Sequence, residues 1–502
     1  MMEMGRAELD RMRSSVSRPP FGLEWMRRYM PHYMTAAPSK LHLDLAHDLS
    51  EVQRTRGQKR NYIAPRGSAK TSWISKGFVL HGAVEGIEPL TLLLAETGEQ
   101  ARKYLDSVKE ELELNPAIAR DYPEACGKGR LWQSERIRMR NGCEIVARGA
   151  GGRILGMTRR DRRPTLIVVD DGNQRGDAYS PTTRQRKIDW MVKDVLPAGE
   201  PGTNYIVAGT PIHREAIVCD LARAGWQTRA YNAVDRMPDN MELWERWERI
   251  VMNLADPQRE QAGLAFYEEN REGMEAGAEL LWPERLTLYE LMLYRARYGE
   301  AAFRTEYSAD PGSPEGAEWP AELFERPDFW FDEWPDDVVC KCLALDPSKG
   351  GESHGGDYQA HAMIGLTSAG MLLVECDLRR DHPEAMIART INLYRQWSKQ
   401  GRTVDRVIVE DNGTMGLIAG AIQAVLGADL MPWECLTQTD NKDLRIRVVG
   451  PYLSQKRIRV RNTPGGRELV NQWRDFPFGS KDDGPDAVAT GIRWMQKAMT
   501  RS

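Results

Sequence analysis

The sequence has few cysteines, and they form no metal-binding pattern. Its seven cysteines are scattered over 502 residues. None belongs to a Cys-x-x-Cys pair, and no histidine stands at the spacing of a zinc finger. A reduced, cytoplasmic chain without structural zinc therefore fits best.

Long apolar runs are also lacking. No stretch approaches the roughly 18 apolar residues that a membrane helix needs, and the first 20 residues have no apolar core of the kind found in signal peptides. We therefore expect a soluble protein with no membrane partner. The formal net charge is only -4, so the total charge indicates no partner, although local basic clusters can still bind phosphate.

The chain is nevertheless long enough for two domains or more. Residues 1–60 are polar and are predicted to be helical. Over 61–240, short β-rich runs such as Leu90–Ala95 alternate with helical segments, which predicts an α/β domain with a largely parallel sheet. Residues 241–310 carry apolar stripes at helical spacing, which are typical of core and solvated faces, and they predict a connecting or lid segment. Residues 311–337 form a linker rich in Pro, Gly and acid. A second β-rich series, which begins with Val338–Asp346, fills 338–502.

The stretch "IAPRGSAKTSW" (63–73) is similar to a phosphate-binding loop. In such a loop, backbone N–H groups and a helix N-terminus surround the phosphates, a lysine binds them, and the next hydroxyl binds magnesium. Ala64 and Ala69 occupy the positions of both usual glycines, and Lys70 and Thr71 follow. The strict pattern therefore fails, and the string by itself is also compatible with an ordinary helix start.

Two later strands support a nucleotide site. "TLIVVDD" (165–171) ends in Asp170, which could hold magnesium, and Asp171, which could polarise the attacking water. "YIVAGTPIH" (205–213) places Thr210 where a hydroxyl can approach the γ-phosphate. Each could also be a strand that ends in a turn. Their order and strand context together favour an ATPase.

With these motifs the sequence resembles the large subunit of tailed-phage terminases, which combine a DNA-packaging ATPase with a nuclease. "RGSAKT" (66–71) matches the family's degenerate loop, "RRPTLIVVDD" (162–171) its Walker B strand, and "AGTP" (208–211) its coupling motif. Ala69 departs from the usual glycine, and Asp171 stands where glutamate is common. The resemblance implies that ATP is bound by Arg66, Gly67, Ser68, Ala69, Lys70, Thr71, Asp170 and Thr210.

The same resemblance implies roles within that set. Thr71 and Asp170 hold the magnesium of ATP, and Asp171 is the catalytic acid of the ATPase. An arginine of the basic stretch before Walker B acts in trans on a neighbouring subunit's nucleotide, with Arg159 the first candidate and Arg160 the second. A solvated surface loop remains an alternative for either arginine.

Strand ends in the C-terminal series carry acids. "CLALDPSKGG" (342–351) offers Asp346, "RVIVEDNG" (406–413) offers Glu410, and "KDDGPDAVATGIRW" (481–494) offers several aspartates. If these carboxylates converge, they need cations to neutralise them, and two Mg²⁺ or Mn²⁺ ions could then hydrolyse a phosphodiester. The lack of histidine in these stretches favours such oxygen-binding metals over zinc. Any single acid could instead cap a turn.

The order of these acids resembles the ribonuclease H-like nuclease domain of large terminases. The resemblance implies that Asp346, Glu410 and Asp486 are catalytic metal ligands, supported by Asp483 and Asp357. It therefore predicts a P-loop ATPase domain followed by a ribonuclease H-like domain, with ATP, Mg²⁺ and two nuclease ions as cofactors.

Two basic groups are candidates for phosphate contacts, although each is also compatible with a charged solvated surface. The first comprises Lys128, Arg130, Arg136, Arg138, Arg140, Arg148 and Arg153, and the second Arg445, Arg447, Lys456, Arg457, Arg459 and Arg461.

The predicted function is ATP-driven translocation of viral double-stranded DNA into a prohead and cutting of the concatemer. The resemblance implies three partners besides DNA: a small terminase subunit, the portal, and further copies of this chain in a ring, a pentamer by family resemblance. It also implies the host cytoplasm as location. Two alternatives stay open: a helicase- or repair-type ATPase with an attached nuclease, and an ATP-switched DNA-binding module without nuclease activity.

Overall fold

The computed structural model describes most of the chain. The described residues are 18–152, 154, 163–173, 181–310, 318–347, 358–380, 383–399, 403–410, 432–436, 442–477, 479 and 481–499, without the side chains of 181, 383, 384, 398, 399 and 410. The chain forms two compact units. The first comprises Met1–Met237, Ala278–Leu288 and Arg304–Ser313, and the second Pro238–Gly277, Tyr289–Phe303 and Pro314–Ser502. Residues 241–310 thus divide between the two units, and their role as a connection stays a prediction.

The first unit contains an eight-stranded sheet in the order β3-β4-β5-β2-β6-β7-β1-β8. Its strands are β1 (Lys59–Ile63), β2 (Leu90–Ala95), β3 (Leu131–Trp132), β4 (Arg136–Arg138), β5 (Glu144–Gly149), β6 (Leu166–Asp170), β7 (Asn204–Gly209) and β8 (Gln227–Ala230). All pairs from β5 to β8 are parallel, and only the β3-β4-β5 edge is antiparallel. A largely parallel sheet was predicted and is confirmed. The same unit contains a separate two-stranded antiparallel sheet, formed by β9 (Val234–Arg236) and β10 (Glu279–Leu280).

Helices cover both faces of this sheet. They are α1 (Leu23–Tyr29), α2 (Lys40–Arg54), α3 (the π-helical Ser72–Phe78, continued by Val79–Val84), α4 (Gly98–Leu114), α5 (Pro116–Asp121), α6 (Pro181–Trp190, continued by Met191–Val195 and Leu196–Ala198) and α7 (Ile217–Arg223). Neighbouring strand residues enter different cores: Leu93 packs with α1 to α4, whereas Leu92 and Leu94 pack with α6 and α7. Because both faces are buried, the central strands are continuous apolar runs such as "LTLLLA".

The second unit contains a seven-stranded mixed sheet in the order β11-β17-β14-β13-β12-β15-β16. Its strands are β11 (Trp330–Phe331), β12 (Val338–Asp346), β13 (Gln359–Thr367), β14 (Leu372–Arg379), β15 (Arg406–Glu410), β16 (Trp433–Leu436) and β17 (Ile458–Arg461). β12, β13 and β14 pair antiparallel, whereas β15 runs parallel to β12. The chain is thus an α/β protein in both units, as predicted.

The remaining helices lie between 241 and 498. They are α8 (Met241–Val251), α9 (Arg259–Glu275), α10 (Leu288–Tyr298), α11 (Glu300–Tyr307), α12 (Glu322–Glu325), α13 (Pro383–Lys399), α14 (Lys442–Ile446, followed by a 3-10 turn, Arg447–Val449), α15 (Gly450–Ser454), α16 (Pro464–Asp475) and α17 (Asp483–Ala498). The apolar stripes predicted over 241–310 are core: Trp244 and Trp247 are buried, with their rings 5.1 Å apart. In the part of the chain that the structure covers, no helix has both the length and the apolar character to cross a bilayer.

Candidate functional site

The strand order of the first sheet brings three distant motifs together. β6, β7 and β1 are adjacent and parallel, so their carboxyl ends share one edge. Lys70 follows β1, Asp170 and Asp171 end β6, and Thr210 follows β7. Residues 39 to 140 positions apart in sequence therefore meet at this edge.

The loop between β1 and α3 turns twice in the left-handed region. Gly67 has φ 77°, and Ala69 has φ 60°. Ala69 occupies the position of the missing glycine, and an L-residue in this conformation costs about 1–2 kcal/mol because its Cβ approaches the following carbonyl. The loop thus adopts the turn that glycine would favour, and the strain must be balanced by contacts around it.

Lys70 contacts the other two strand ends. Its Nζ lies 3.0 Å from Thr210 Oγ1 and 3.4 Å from Asp171 Oδ2. The Thr210 N–H donates to Asp171 Oδ1 at 3.0 Å, so the three residues form a closed set of contacts. The Lys70 side chain is almost fully buried. An anionic ligand can therefore bind the Lys70 ammonium if it displaces the Asp171 carboxylate.

Asp170 lies deeper than Asp171 and is completely buried. Ser75 Oγ donates to its Oδ2 at 2.6 Å, whereas its Oδ1 has no hydrogen-bond partner within the described part of the chain. Burial, and then the charge of Asp171, raises the pKa of Asp170, while Lys70 opposes this effect. A buried carboxylate oxygen without a donor, with the Thr71 hydroxyl beside Asp170, matches the oxygen ligands that Mg²⁺ prefers. These residues therefore fit the metal of a bound nucleotide.

A cleft of about 530 Å³ opens at these side chains. Lys70, Asp171 and Thr210 line it, together with Glu96 and Arg66. Arg66 lies at its rim, where its Nη1 is 3.3 Å from Glu306 Oε2. The volume lies in the range of small-molecule sites. Of the predicted nucleotide residues, Arg66, Lys70, Thr210 and Asp171 thus line the cleft, whereas Arg159 and Arg160 lie outside the described residues.

Sequence reasoning missed three residues of this site: Ser75, Glu96 and Tyr104. Ser75 lies one helical turn after Thr71, a spacing that could have indicated it. Glu96 directly follows β2, whose Ala95 is in register with Asp170. Tyr104 is in hydrogen-bond contact with Thr71, and burial, together with the charges of Asp170 and Asp171, raises its pKa. No local pattern marks Tyr104.

In the second unit, one end of the sheet carries Asp346, Asp483 and Asp486 of the predicted acids. β12 and β15 are parallel neighbours in the register Leu345 to Val409, so Asp346 and Glu410 end adjacent strands. α17 begins at Asp483, carries Asp486 in its first turn and packs on β12 and β13. Asp483 Oδ2 accepts the N–H of Tyr358, which immediately precedes β13, at 3.0 Å. The side chain of Glu410 and all of Asp357 lie outside the described part.

Two cations of α14 lie among these acids, and neither was predicted there. Lys442 Nζ is 2.8 Å from Asp482 Oδ1 and 3.7 Å from Asp486 Oδ2. Arg445 Nη2 is 2.7 Å from the same Asp486 oxygen, and both partners are buried. Burial lowers the pKa of Lys442. The carboxylates of Asp346, Asp482 and Asp486 raise it by more, so this pKa lies above its usual value. Positive charge therefore already stabilises this acidic end.

Among the described side chains, no three His, Cys, Asp or Glu groups come together as a metal site. The proposed set includes Glu410, whose side chain is not described, so the metal assignment of Asp346, Glu410 and Asp486 stays a prediction. The surroundings of Lys442 show that cations are favoured at Asp486 and Asp482. The oxygen-only donors of the set fit Mg²⁺ or Mn²⁺.

Two candidates for phosphate contacts in the second basic group are not accessible for that role. Arg445 and Arg447 are buried, and Arg447 pairs with Glu318 at 3.0 Å. Arg461 pairs with Glu375 at 2.8 Å. In the first group, Arg136 and Arg138 both pair with the buried Glu144. These arginines neutralise acids within their own units, because a buried carboxylate needs a partner.

The folds and the two sites define an α/β protein with a cleft lined by Lys70, Asp171 and Thr210 in one unit and an acid-bearing sheet end in the other. No protein-family model matches the chain, and no curated protein matches it.

Solved structures do match. The large terminase of a thermophilic bacteriophage, in complex with ATP-γ-S, is 11% identical, with a TM-score of 0.43, over 94% of this chain and 99% of that chain. The HK97 bacteriophage large terminase is 12% identical, with a TM-score of 0.35, over 95% and 98%. The large terminase nuclease of the thermophilic phage G20c, with bound magnesium, is 13% identical, with a TM-score of 0.23, over 34% and 85%. These structures are large terminases, the family that the motifs resemble. At such low identities and TM-scores, function rests on this chain's own residues.

Proposed function

We propose that the chain is the large subunit of a phage terminase, which moves viral double-stranded DNA into a prohead with ATP and cuts the concatemer with a metal-dependent endonuclease. The observation that carries the proposal is the contact set of Lys70 with Asp171 and Thr210, formed by three motifs from three strand ends. The proposed partners are viral DNA, a small terminase subunit, the portal, and further copies of this chain.

In the proposed ATPase site, the loop N–H groups and Lys70 bind the phosphates of ATP, which replace the Asp171 carboxylate at the ammonium. Thr71 and Asp170 would hold the magnesium, which would neutralise charge on the phosphates. Asp171, released from Lys70 and still oriented by the Thr210 N–H, accepts a hydrogen bond from the attacking water and takes its proton. Because the Thr210 N–H is bonded to Asp171, a movement of the Asp171 carboxylate would also displace Thr210, which directly follows β7.

In the proposed nuclease site, Asp346, Glu410 and Asp486 would hold two Mg²⁺ or Mn²⁺ ions, with Asp483 in support. Bound ions of this kind activate water and stabilise the leaving oxygen of a phosphodiester. The backbone provides the frame for this chemistry: the paired strands β12 and β15 end next to each other, at Asp346 and Glu410, and the first turn of α17 carries Asp486.

ATP turnover tests the first site. Wild-type protein should hydrolyse ATP with Mg²⁺, and Lys70→Ala should lose at least about 100-fold in kcat/KM, because the removed ammonium contacts the transferred phosphate. Lys103→Ala, which removes a surface lysine paired with Glu99 of the same helix, α4, is the matched control and should not change turnover. Turnover that survives Lys70→Ala would remove this site from the mechanism.

Plasmid cleavage tests the second site. Cleavage should require Mg²⁺ or Mn²⁺ and disappear in Asp346→Ala, whereas Asp336→Ala, which changes an exposed acid of the same unit, should cleave normally. Cleavage by Asp346→Ala would refute the metal assignment. A wild-type protein that binds DNA and ATP but never cleaves would instead be a binding module.

A further inference from the structure

A buried histidine lies directly beneath the proposed phosphate loop. His42 is the third residue of α2 and is only 2% exposed. Its Nε2 lies 3.1 Å from the backbone oxygen of Ser68, in the loop. On the other side of the ring, the N–H of Ser39 lies 3.0 Å from Nδ1. His42 thus connects the start of α2 to the peptide before Ala69.

The hydrogen bonds determine the tautomer. The Ser39 N–H can only donate, so Nδ1 is the acceptor and Nε2 carries the hydrogen that it donates to Ser68. Burial lowers the pKa of His42 to about 4, against the opposing effect of the Ser68 bond. The ring is therefore neutral at physiological pH and holds one donor in a fixed direction.

Two tryptophans hold the ring in place. The His42 ring stacks on Trp73, in α3, at 5.2 Å, and contacts Trp282 edge-on at 4.6 Å. Trp282 is itself anchored, since its Nε1 donates to the Ala37 oxygen at 2.6 Å. With both ring nitrogens bonded and both tryptophans packed against it, His42 cannot turn without loss of several contacts.

The bond acts on the strained residue of the loop. The Ser68 carbonyl and the Ala69 nitrogen belong to one planar peptide group, so rotation of that plane changes the φ of Ala69. A bond that fixes the Ser68 oxygen therefore resists relaxation of Ala69 from φ 60°. Strained backbone of this kind persists only where surrounding contacts over-determine it.

We propose that His42 is a positioning residue of the nucleotide site, which holds the Ser68–Ala69 peptide so that alanine can take the turn that glycine would favour. The inference rests on the proposed ATPase function of the loop. It predicts that His42 contributes to nucleotide affinity when residue 69 is alanine and contributes less when residue 69 is glycine. A merely structural role for His42 would not depend on residue 69.

A double-mutant cycle tests the coupling. Affinity for Mg·ADP is measured for the full chain, for His42→Phe, for Ala69→Gly and for the double variant, with the melting temperature as a check of folding. His42→Phe keeps an aromatic ring but loses the donor, and we expect about tenfold weaker binding, the equivalent of one lost hydrogen bond. With Ala69→Gly present, the same change should cost about threefold or less. His47→Phe, on the exposed side of the same helix, is the matched control.

The outcomes are distinct. An equal loss in both backgrounds, or no loss in folded His42→Phe, overturns the inference. If His42→Phe does not fold, His42→Gln, which retains an N–H donor, replaces it in the same cycle and should lose less affinity, with the same suppression by Ala69→Gly. A wild-type chain that does not bind Mg·ADP overturns the proposed nucleotide site itself.

Discussion

Replacement of Arg445 by methionine should locally destabilise the acidic end of the second sheet. Arg445 and Asp486 form a pair at 2.7 Å, with side chains 7% and 2% exposed. Removal of one partner of a buried ion pair lowers stability by about 3–5 kcal/mol, because the remaining charge stays buried without a partner or water to solvate it. Lys442 still lies 3.7 Å from the same Asp486 oxygen, so we expect a cost near the lower end, about 3 kcal/mol.

Hydrogen exchange of the helix Asp483–Ala498 measures this cost, because it reports opening of one segment in a chain of two units. The free energy of opening should fall by about 3 kcal/mol in Arg445→Met and recover in Arg445→Met/Asp486→Asn, where no charge is left to bury. Arg467→Met, which removes an exposed arginine of α16, is the matched control. If the free energy of opening of this helix in Arg445→Met lies within about 1 kcal/mol of the wild-type value, Arg445 does not stabilise the buried charge of Asp486. The proposed role of this ion pair would then be wrong.

Three further results follow from the contacts. Asp171→Asn should lower the kcat of ATP hydrolysis about 100-fold or more while ADP binding is retained; an unchanged kcat would exclude Asp171 as the water-orienting acid. Lys442→Met should tighten Mn²⁺ binding about tenfold, measured by the EPR signal of free Mn²⁺, since a competing ammonium near Asp482 and Asp486 is removed; weaker binding would contradict competition. Burial lowers the pKa of His81 from 6.5 to about 3, so below pH 6.5 the unfolded chain binds a proton that the folded chain does not. As the pH falls from 6.5 to about 3, His81 should therefore lower the free energy of unfolding by about 1.4 kcal/mol per pH unit. Urea unfolding between pH 7 and 5 measures this dependence, and His81→Phe should make it less steep. An unchanged pH dependence in His81→Phe would refute its assignment to His81.

Many elements of the fold could be predicted from local pattern. The run Leu90–Ala95 was predicted as a strand and is β2 at the same bounds, and Val338–Asp346 is likewise β12. Both are apolar runs bounded by turn residues, the pattern of strands buried on both faces. β13 (Gln359–Thr367) was missed, although all nine residues are buried, because its small residues and its histidine give neither an alternating nor a strongly apolar pattern.

The proposed nucleotide site shows the same division. That Lys70, Asp170 and Thr210 lie at one sheet edge could be predicted, because each follows or ends an apolar strand and these strands are parallel neighbours. Their role in nucleotide binding stays a prediction. Tyr104 could not be predicted, because its contact with Thr71 depends on how α3 and α4 pack on the sheet.

The sequence by itself determined the order of the motifs, the strands that carry them and the alanine at position 69, because strand pattern and residue identity are local properties. Only the tertiary structure decided which charges pair. Arg445 and Arg447 look like a basic row in the sequence, yet in the structure they are buried against Asp486 and Glu318. The free energy of a buried charge depends on the group that lies opposite, and that group comes from another part of the chain. The same holds for His42, whose partner Ser68 is 26 residues away.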